Sequence, residues 1–171
     1  METPNQYMHY QCNMAALLQL GAWFDSLREQ GVWDNTRIIL VSDHGQTLAQ
    51  LPELIQANGM DAEGFNALLL VKDFGAEGFT VSDEFMTAAD VPTLAMEALV
   101  ENPVNPFTGK AIDSADKTAH DQYLIWSHDW DISVNNGNTY LPADWYTVHD
   151  NIWDPENWTL VAKDAVLDTE P

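Results

Sequence analysis

The run Arg37-Ile38-Ile39-Leu40-Val41-Ser42-Asp43-His44-Gly45 constrains this chain more than any other stretch. Its apolar, β-branched body has the pattern of a buried strand, and it stops abruptly at a carboxylate, an imidazole and a glycine. Ligands of open α/β sheets gather just beyond the carboxyl ends of strands, so Asp43 and His44 stand where such a sheet places its chemistry. A hard anionic oxygen beside a neutral imidazole nitrogen suits a divalent metal such as zinc or manganese. Gly45, with no side chain, lets backbone approach a metal or phosphate closely. The tripeptide alone reads more simply as a turn residue beside a hydrogen-bonded surface histidine; the preceding strand is what strengthens the reading as a site. Two ligands do not close a metal site. The others must lie elsewhere in the chain or on sequence outside it.

A chain of 171 residues suffices for one domain with a real core. With 46% hydrophobic and 11% aromatic residues it does not read as a disordered tail. Asp and Glu number 27 against 6 Lys and Arg, a formal charge of -21. That surface repels phosphate backbones and anionic lipid, which argues against nucleic-acid and membrane-surface partners. Cys12 is the only cysteine, which excludes an internal disulfide and a cysteine-based structural zinc site. No apolar run approaches the roughly 18 residues of a membrane span, and no signal-peptide pattern opens the chain. Localisation does not follow from these residues alone.

Helical spacing of Leu17, Leu20, Phe24 and Leu27 predicts a first helix over 13–30 with one broad apolar face, capped by Gly31. Asp34-Asn35 gives a turn, and 37–42 the strand. Leu48, Leu51, Leu54 and Ile55 suggest a shorter helix with Pro52 in its first turn, ended by Asn58-Gly59. The run 67–71 reads as a second buried strand. Asp90 is the expected N-cap of a helix through Val91, Leu94 and Leu99 with Pro92 in its first turn, and the Pro103 and Pro106 region stops it. Beyond about Asp113 the chain turns aromatic and Asn-rich. Asn135-Asn136-Gly137-Asn138 signals a hairpin, and 158–162 another strand. The resulting fold class is α/β: a partial mixed or parallel sheet flanked by helices over 1–112, with a small antiparallel, aromatic-rich layer over 113–171 packed on it.

Other candidate sites are weaker. His9 precedes the expected helix and has an ordinary hydrogen bond as its simpler role. His128-Asp129-Trp130-Asp131 looks metal-like, but strand alternation puts His128 opposite Asp129 and Asp131. Asp129, Asp131, Ser133 and Asn135 mimic calcium-loop spacing, yet Val134 stands where that loop needs glycine. His120 and His149 have no evident partner pattern. Cys12 lacks a placed base and fits a free buried cysteine. Gly109-Lys110 is no phosphate loop, since Val104 and Ala111 replace required residues. Asn157-Trp158-Thr159 matches a glycosylation acceptor only formally. No activated nucleophile is found.

Gly31-Val32-Trp33-Asp34-Asn35-Thr36-Arg37 through Gly45 resembles the later metal-ligand motif of sulfatases, within the alkaline phosphatase superfamily. Residues 65–72 resemble the following core strand, and Ala89-Asp90-Val91-Pro92-Thr93-Leu94 the helix opening Asp-x-x-Pro-Thr-Leu. Order and spacing agree over roughly 7–112. His at position 44, where many sulfatases carry Asn, is similar to the lipoteichoic acid synthase and phosphoethanolamine transferase branch. The resemblance implies an alkaline phosphatase-like α/β fold and a bacterial, extracytoplasmic domain behind membrane helices. It also implies hydrolysis or transfer of phosphate or sulfate esters, from small-ester, lipid or glycan phosphate substrates. A Thr, Ser or modified Cys nucleophile attacks there, with one or two divalent metals (Zn, Mn, Mg or Ca) stabilising the transition state. Asp43 and His44 then correspond to the later metal ligands; the nucleophile and the earlier acidic ligand belong to an N-terminal half with no counterpart here. The expectation is a C-terminal portion that holds its metal incompletely and is inactive alone. It would pair with its missing half or self-associate through an exposed apolar face. The alternative is a non-catalytic binding module on the same scaffold, with Trp130, Trp145 and Trp153 as stacking platforms.

Overall fold

The structure, a computed structural model, describes residues 3–97, 99–127 and 142–166. Helix α1 spans Pro4–Glu29 and begins earlier than its apolar spacing predicts, because Thr3-Pro4-Asn5-Gln6 is a capping box with proline in the first turn. The Thr3 hydroxyl accepts from the Gln6 N–H at 3.2 Å, and the Thr3 N–H donates to Gln6 Oε1 at 3.2 Å. At the other end Gly31 takes φ 68°, its N–H reaching Arg28 O while the Val32 N–H reaches Leu27 O. Those two bonds form a Schellman stop, which a left-handed glycine permits.

Strand β1 (Ile38–Val41) pairs with β2 (Leu69–Lys72) in antiparallel register, Ile38 opposite Lys72 and Val41 opposite Leu69. The expected parallel or mixed sheet over this half is therefore, among the described residues, an antiparallel pair. The cause lies in the connection between the strands. The expected helix near 48–55 is a single 3-10 turn at Pro52–Leu54, so no crossover helix returns the chain for parallel pairing. Two carboxylates hold the segment open. Glu63 accepts from the Leu48 and Leu51 N–H groups at 3.1 and 2.6 Å, and Asp61 from that of Ala49 at 3.1 Å. Those N–H groups would otherwise open a helix, and Ala49 instead sits at φ 51°.

Arg37, at the start of β1, donates to Glu97 O and Glu97 Oε2 at 2.9 and 3.0 Å and ties the strand to the end of helix α2 (Val91–Met96). Asp90 stands at the N-cap position of that helix, as expected, but its side chain makes no capping bond there. Thr87 caps a 3-10 turn (Ala88–Asp90) that runs into α2, and Asp90 is the third residue of its capping box. The helix ends at Met96, short of the expected Leu99.

Helix α3 (Ser114–Ala119) leads into a three-stranded antiparallel sheet, β3 (Gln122–Trp126), β4 (Ala143–Val148) and β5 (Trp158–Ala165), in that order. The Asn135-Asn136-Gly137-Asn138 turn lies outside the described residues; the strands on either side of it pair antiparallel. Tyr146 and Val148 of β4 and Trp158 of β5 pack on Leu54, Met60 and Ala62 to form the main core. Trp158 stacks obliquely on Phe65 at 5.7 Å and edge-on to Tyr146 at 6.0 Å. The C-terminal sheet thus closes over the 51–65 loop, the segment that follows Asp43-His44-Gly45. No helix among the described residues is long and apolar enough to cross a membrane.

Candidate metal pair and adjoining groove

The pairing of β1 with β2 continues one residue past the strand. The Ser42 N–H donates to Leu68 O at 3.0 Å and the Leu68 N–H to Ser42 Oγ at 2.7 Å. Released from the ladder, the next two side chains project into solvent, Asp43 89% and His44 63% exposed. His44 Nε2 and Asp43 Oδ2 lie 3.8 Å apart. Asp43 Oδ1 also accepts from the His44 N–H at 3.0 Å, which steadies the carboxylate. His44 Nδ1 lies 2.5 Å from Gly45 O. A carbonyl only accepts, so that bond requires a proton on Nδ1 and makes Nε2 the ring nitrogen that a metal would take. Metal-bound histidines are oriented by this kind of backbone acceptor. One cation about 2 Å from each atom fits between the two donors. Among the described residues no group of three or more His, Cys, Asp or Glu side chains converges to hold a metal.

Gly45 has a different role from the one its sequence suggests. A Cβ there would lie 2.0 Å from Glu63 O and 2.7 Å from Asn66 O, and its N–H donates to Gly64 O at 2.9 Å. The close approach is to the protein's own backbone. Glycine is needed so that the motif can dock on the 63–66 turn.

That docking forms one wall of a groove of about 360 Å³ next to the pair, lined by Gln46, Gln50, Asn66, Leu48, Leu51 and Trp153, with Glu63 beneath. Trp153 is 51% exposed. Of the other expected stacking platforms, Trp145 is 4% exposed and its indole N–H bonds Ala165 O at 2.9 Å; it is core. Trp130, with His128, Asp129, Asp131, Ser133 and Asn135, lies outside the described residues.

The remaining histidines have partners that sequence reasoning missed. His149 Nδ1 lies 3.0 Å from Asp121 Oδ1, and His120 Nδ1 lies 2.8 Å from Asp116 O, one helical turn back. The second was legible as an i, i+4 spacing; the first needed the β3–β4 pairing. His9 lies within α1 and Cys12 is exposed on it. Asn157 donates through its side chain to Asn151 O at 3.0 Å.

The strongest buried electrostatic feature is Asp90, 1% exposed. Its carboxylate accepts from Lys117 Nζ at 2.7 Å, Asn105 Nδ2 at 3.0 Å, and the Thr87 N–H and hydroxyl at 2.9 and 3.0 Å. Burial works to raise its pKa, but the bonds from Lys117, the Thr87 backbone, Asn105 and the Thr87 hydroxyl together hold it below the usual carboxylate value. This knot joins the α2 entry, the 105–110 turn and α3.

No family model matches the chain, and no solved structure matches it. It is 40% identical over 75 residues to the "multifunctional alkaline phosphatase superfamily protein PehA" of Trinickia caryophylli, an alignment covering 39% of this chain. The chain spans 14% of the length of that relative. The likeness supports the alkaline phosphatase superfamily and does not single out a branch.

Proposed function

We propose that this chain is part of a metal-dependent phosphate or sulfate ester hydrolase or transferase of the alkaline phosphatase superfamily, with Asp43 and His44 as two of its cation ligands. The observation that carries the reading is that pair: two donors 3.8 Å apart, exposed at the end of β1, in a chain with a partial relative of that name. The cation, once bound, would supply Lewis-acid stabilisation of charge on the ester. Asp43 and His44 would orient it. The nucleophile and the remaining ligands would come from sequence that this chain does not supply, and the lipoteichoic acid synthase or phosphoethanolamine transferase branch, extracytoplasmic and membrane-anchored, is the finer form of the proposal.

Titration with zinc by calorimetry tests it. Weak binding that Asp43→Ala and His44→Ala each abolish is expected, with no turnover of aryl phosphate or sulfate esters by the chain alone. Zinc binding indifferent to both substitutions removes the pair from the site. Robust turnover lost in Asp43→Ala would place a nucleophile within these residues and overturn the fragment reading. A second reading, a non-catalytic binding module on the same scaffold, is favoured by one observation, the exposed Trp153 ring beside the groove.

A further inference from the structure

The groove beside the candidate metal pair has a composition that its structural duties do not explain. Its floor is accounted for: Glu63, 8% exposed, is held by the Leu48 and Leu51 N–H groups, so its oxygens are taken up by bonds that shape the loop. Its rim is not. The carboxamides of Gln46, Gln50 and Asn66 make no hydrogen bond with other described residues, and all three are exposed. Opposite chain segments supply Trp153, its ring half in solvent and its backbone fixed by a 2.9 Å bond from its N–H to Asn151 Oδ1. Leu48 and Leu51 complete an apolar strip.

Charge narrows the ligand class. No Lys or Arg lines the groove, and the chain carries -21 overall, so an anion finds no counter-charge. The single lining carboxylate is already engaged, so a cation finds no free partner. Carboxamides both donate and accept, as hydroxyl groups do, and an aromatic face is complementary to the C–H face of a saturated ring. The volume of about 360 Å³ lies at the lower end of small-molecule pockets. We infer that this groove is a subsite for a neutral sugar ring, stacked on Trp153 and hydrogen-bonded through Gln46, Gln50 and Asn66. The inference rests on the binding reading of Trp153 and does not depend on a metal.

The test is a titration of the whole chain, labelled with ¹⁵N at its tryptophan indoles, carried out in the presence of a chelator. Glucose and N-acetylglucosamine are the probes, and adenosine is the planar aromatic comparison. The Trp153 indole signal, identified by its absence in Trp153→Phe, is expected to shift saturably with at least one hexose. Gln46→Ala with Gln50→Ala is expected to weaken that binding about thirtyfold, as two lost hydrogen bonds of about 1 kcal/mol each imply. Trp23→Phe, on α1, leaves it unchanged. A Trp153 signal that no hexose moves, that only adenosine moves, or that responds equally in the double variant overturns the proposal. Because the chelator excludes the cation, failure here is distinct from failure of the metal reading.

Discussion

Asp90 shows how much one side chain can hold. Four donors surround a carboxylate that is 1% exposed, and one of them is the Lys117 ammonium. Removing one member of a buried charged pair strands the other, at a typical cost of 3–5 kcal/mol. Asp90→Ala is therefore expected to lower unfolding stability by about 3 kcal/mol, read from the midpoint of urea unfolding. Asp90→Asn should lose less, since the amide keeps one acceptor. The pH dependence has a definite sign. The folded pKa lies below the ordinary 3.8, so the ionised group stabilises the fold above that value, and the contribution disappears as pH falls through the lowered one. Asp90→Asn should flatten that acid limb; an unchanged limb would show that the ion pair is not what fails in acid. Gly45 makes a steric counterpart. Ala there puts Cβ 2.0 Å from a main-chain oxygen, which no side-chain rotation relieves, so Gly45→Ala should cost about 2 kcal/mol. Scanning calorimetry should register that as a fall in Tm of about 4–8 °C for a chain of this size.

At the scale of elements, the legible features were those whose signal is local. The body of β1 was readable because Ile38-Ile39-Leu40-Val41 has no competing pattern, and Gly31 because a left-handed helix stop favours glycine. The hidden features depend on distant partners. Nothing near Leu48 shows that Glu63 and Asp61 will take its neighbours' N–H groups, so apolar spacing suggested a helix where the chain makes a loop. Strand direction was hidden for the same reason, since a missing crossover helix is what turns β2 antiparallel to β1. Asp90 before Val91-Pro92 is legible as an N-cap position, and only Thr87 three residues earlier shows that its side chain serves as the other half of a capping box. Of the site, Asp43 and His44 were readable as neighbours on a strand end, whereas the groove was not, because Trp153 arrives from the far end of the chain. The start of α1 was legible but overlooked in Thr3-Pro4-Asn5-Gln6. That cap allows a clean test: Thr3→Ala should remove about 1 kcal/mol of local stability. Since Gln6 is the only buried residue of α1, the loss should appear as faster amide exchange in the first turn, with little change in the global midpoint. A full shift of the global midpoint would mean that α1 is integrated into the core more tightly than its exposure implies.

Across the whole molecule two opposing surfaces compete. Helix α1 leaves Leu17, Leu18 and Trp23 exposed, Leu18 at 68%, spread around the helix and not along one stripe; exposed apolar surface of this kind marks an interaction surface. Covering such side chains is worth about 25 cal/mol per Å² buried. Against that stands a formal charge of -21, which repels a second copy of the same chain. The repulsion depends on ionic strength and the apolar gain barely does. At about 0.01 M salt the Debye length is about 30 Å, enough for charges across a contact to oppose one another; at about 0.15 M it is about 8 Å, and most of that opposition is screened. Light scattering should therefore find the chain closer to monomeric at low salt and more associated at physiological salt. Leu17→Glu combined with Leu18→Glu should keep it monomeric at both, because each change removes apolar area and adds to the negative charge on the contact. That outcome would identify the exposed apolar side chains of α1 as an interface. A wild-type chain that stays monomeric at both salt concentrations and binds no hydrophobic dye would show that α1 needs no cover, and would remove the main physical reason for giving it a partner.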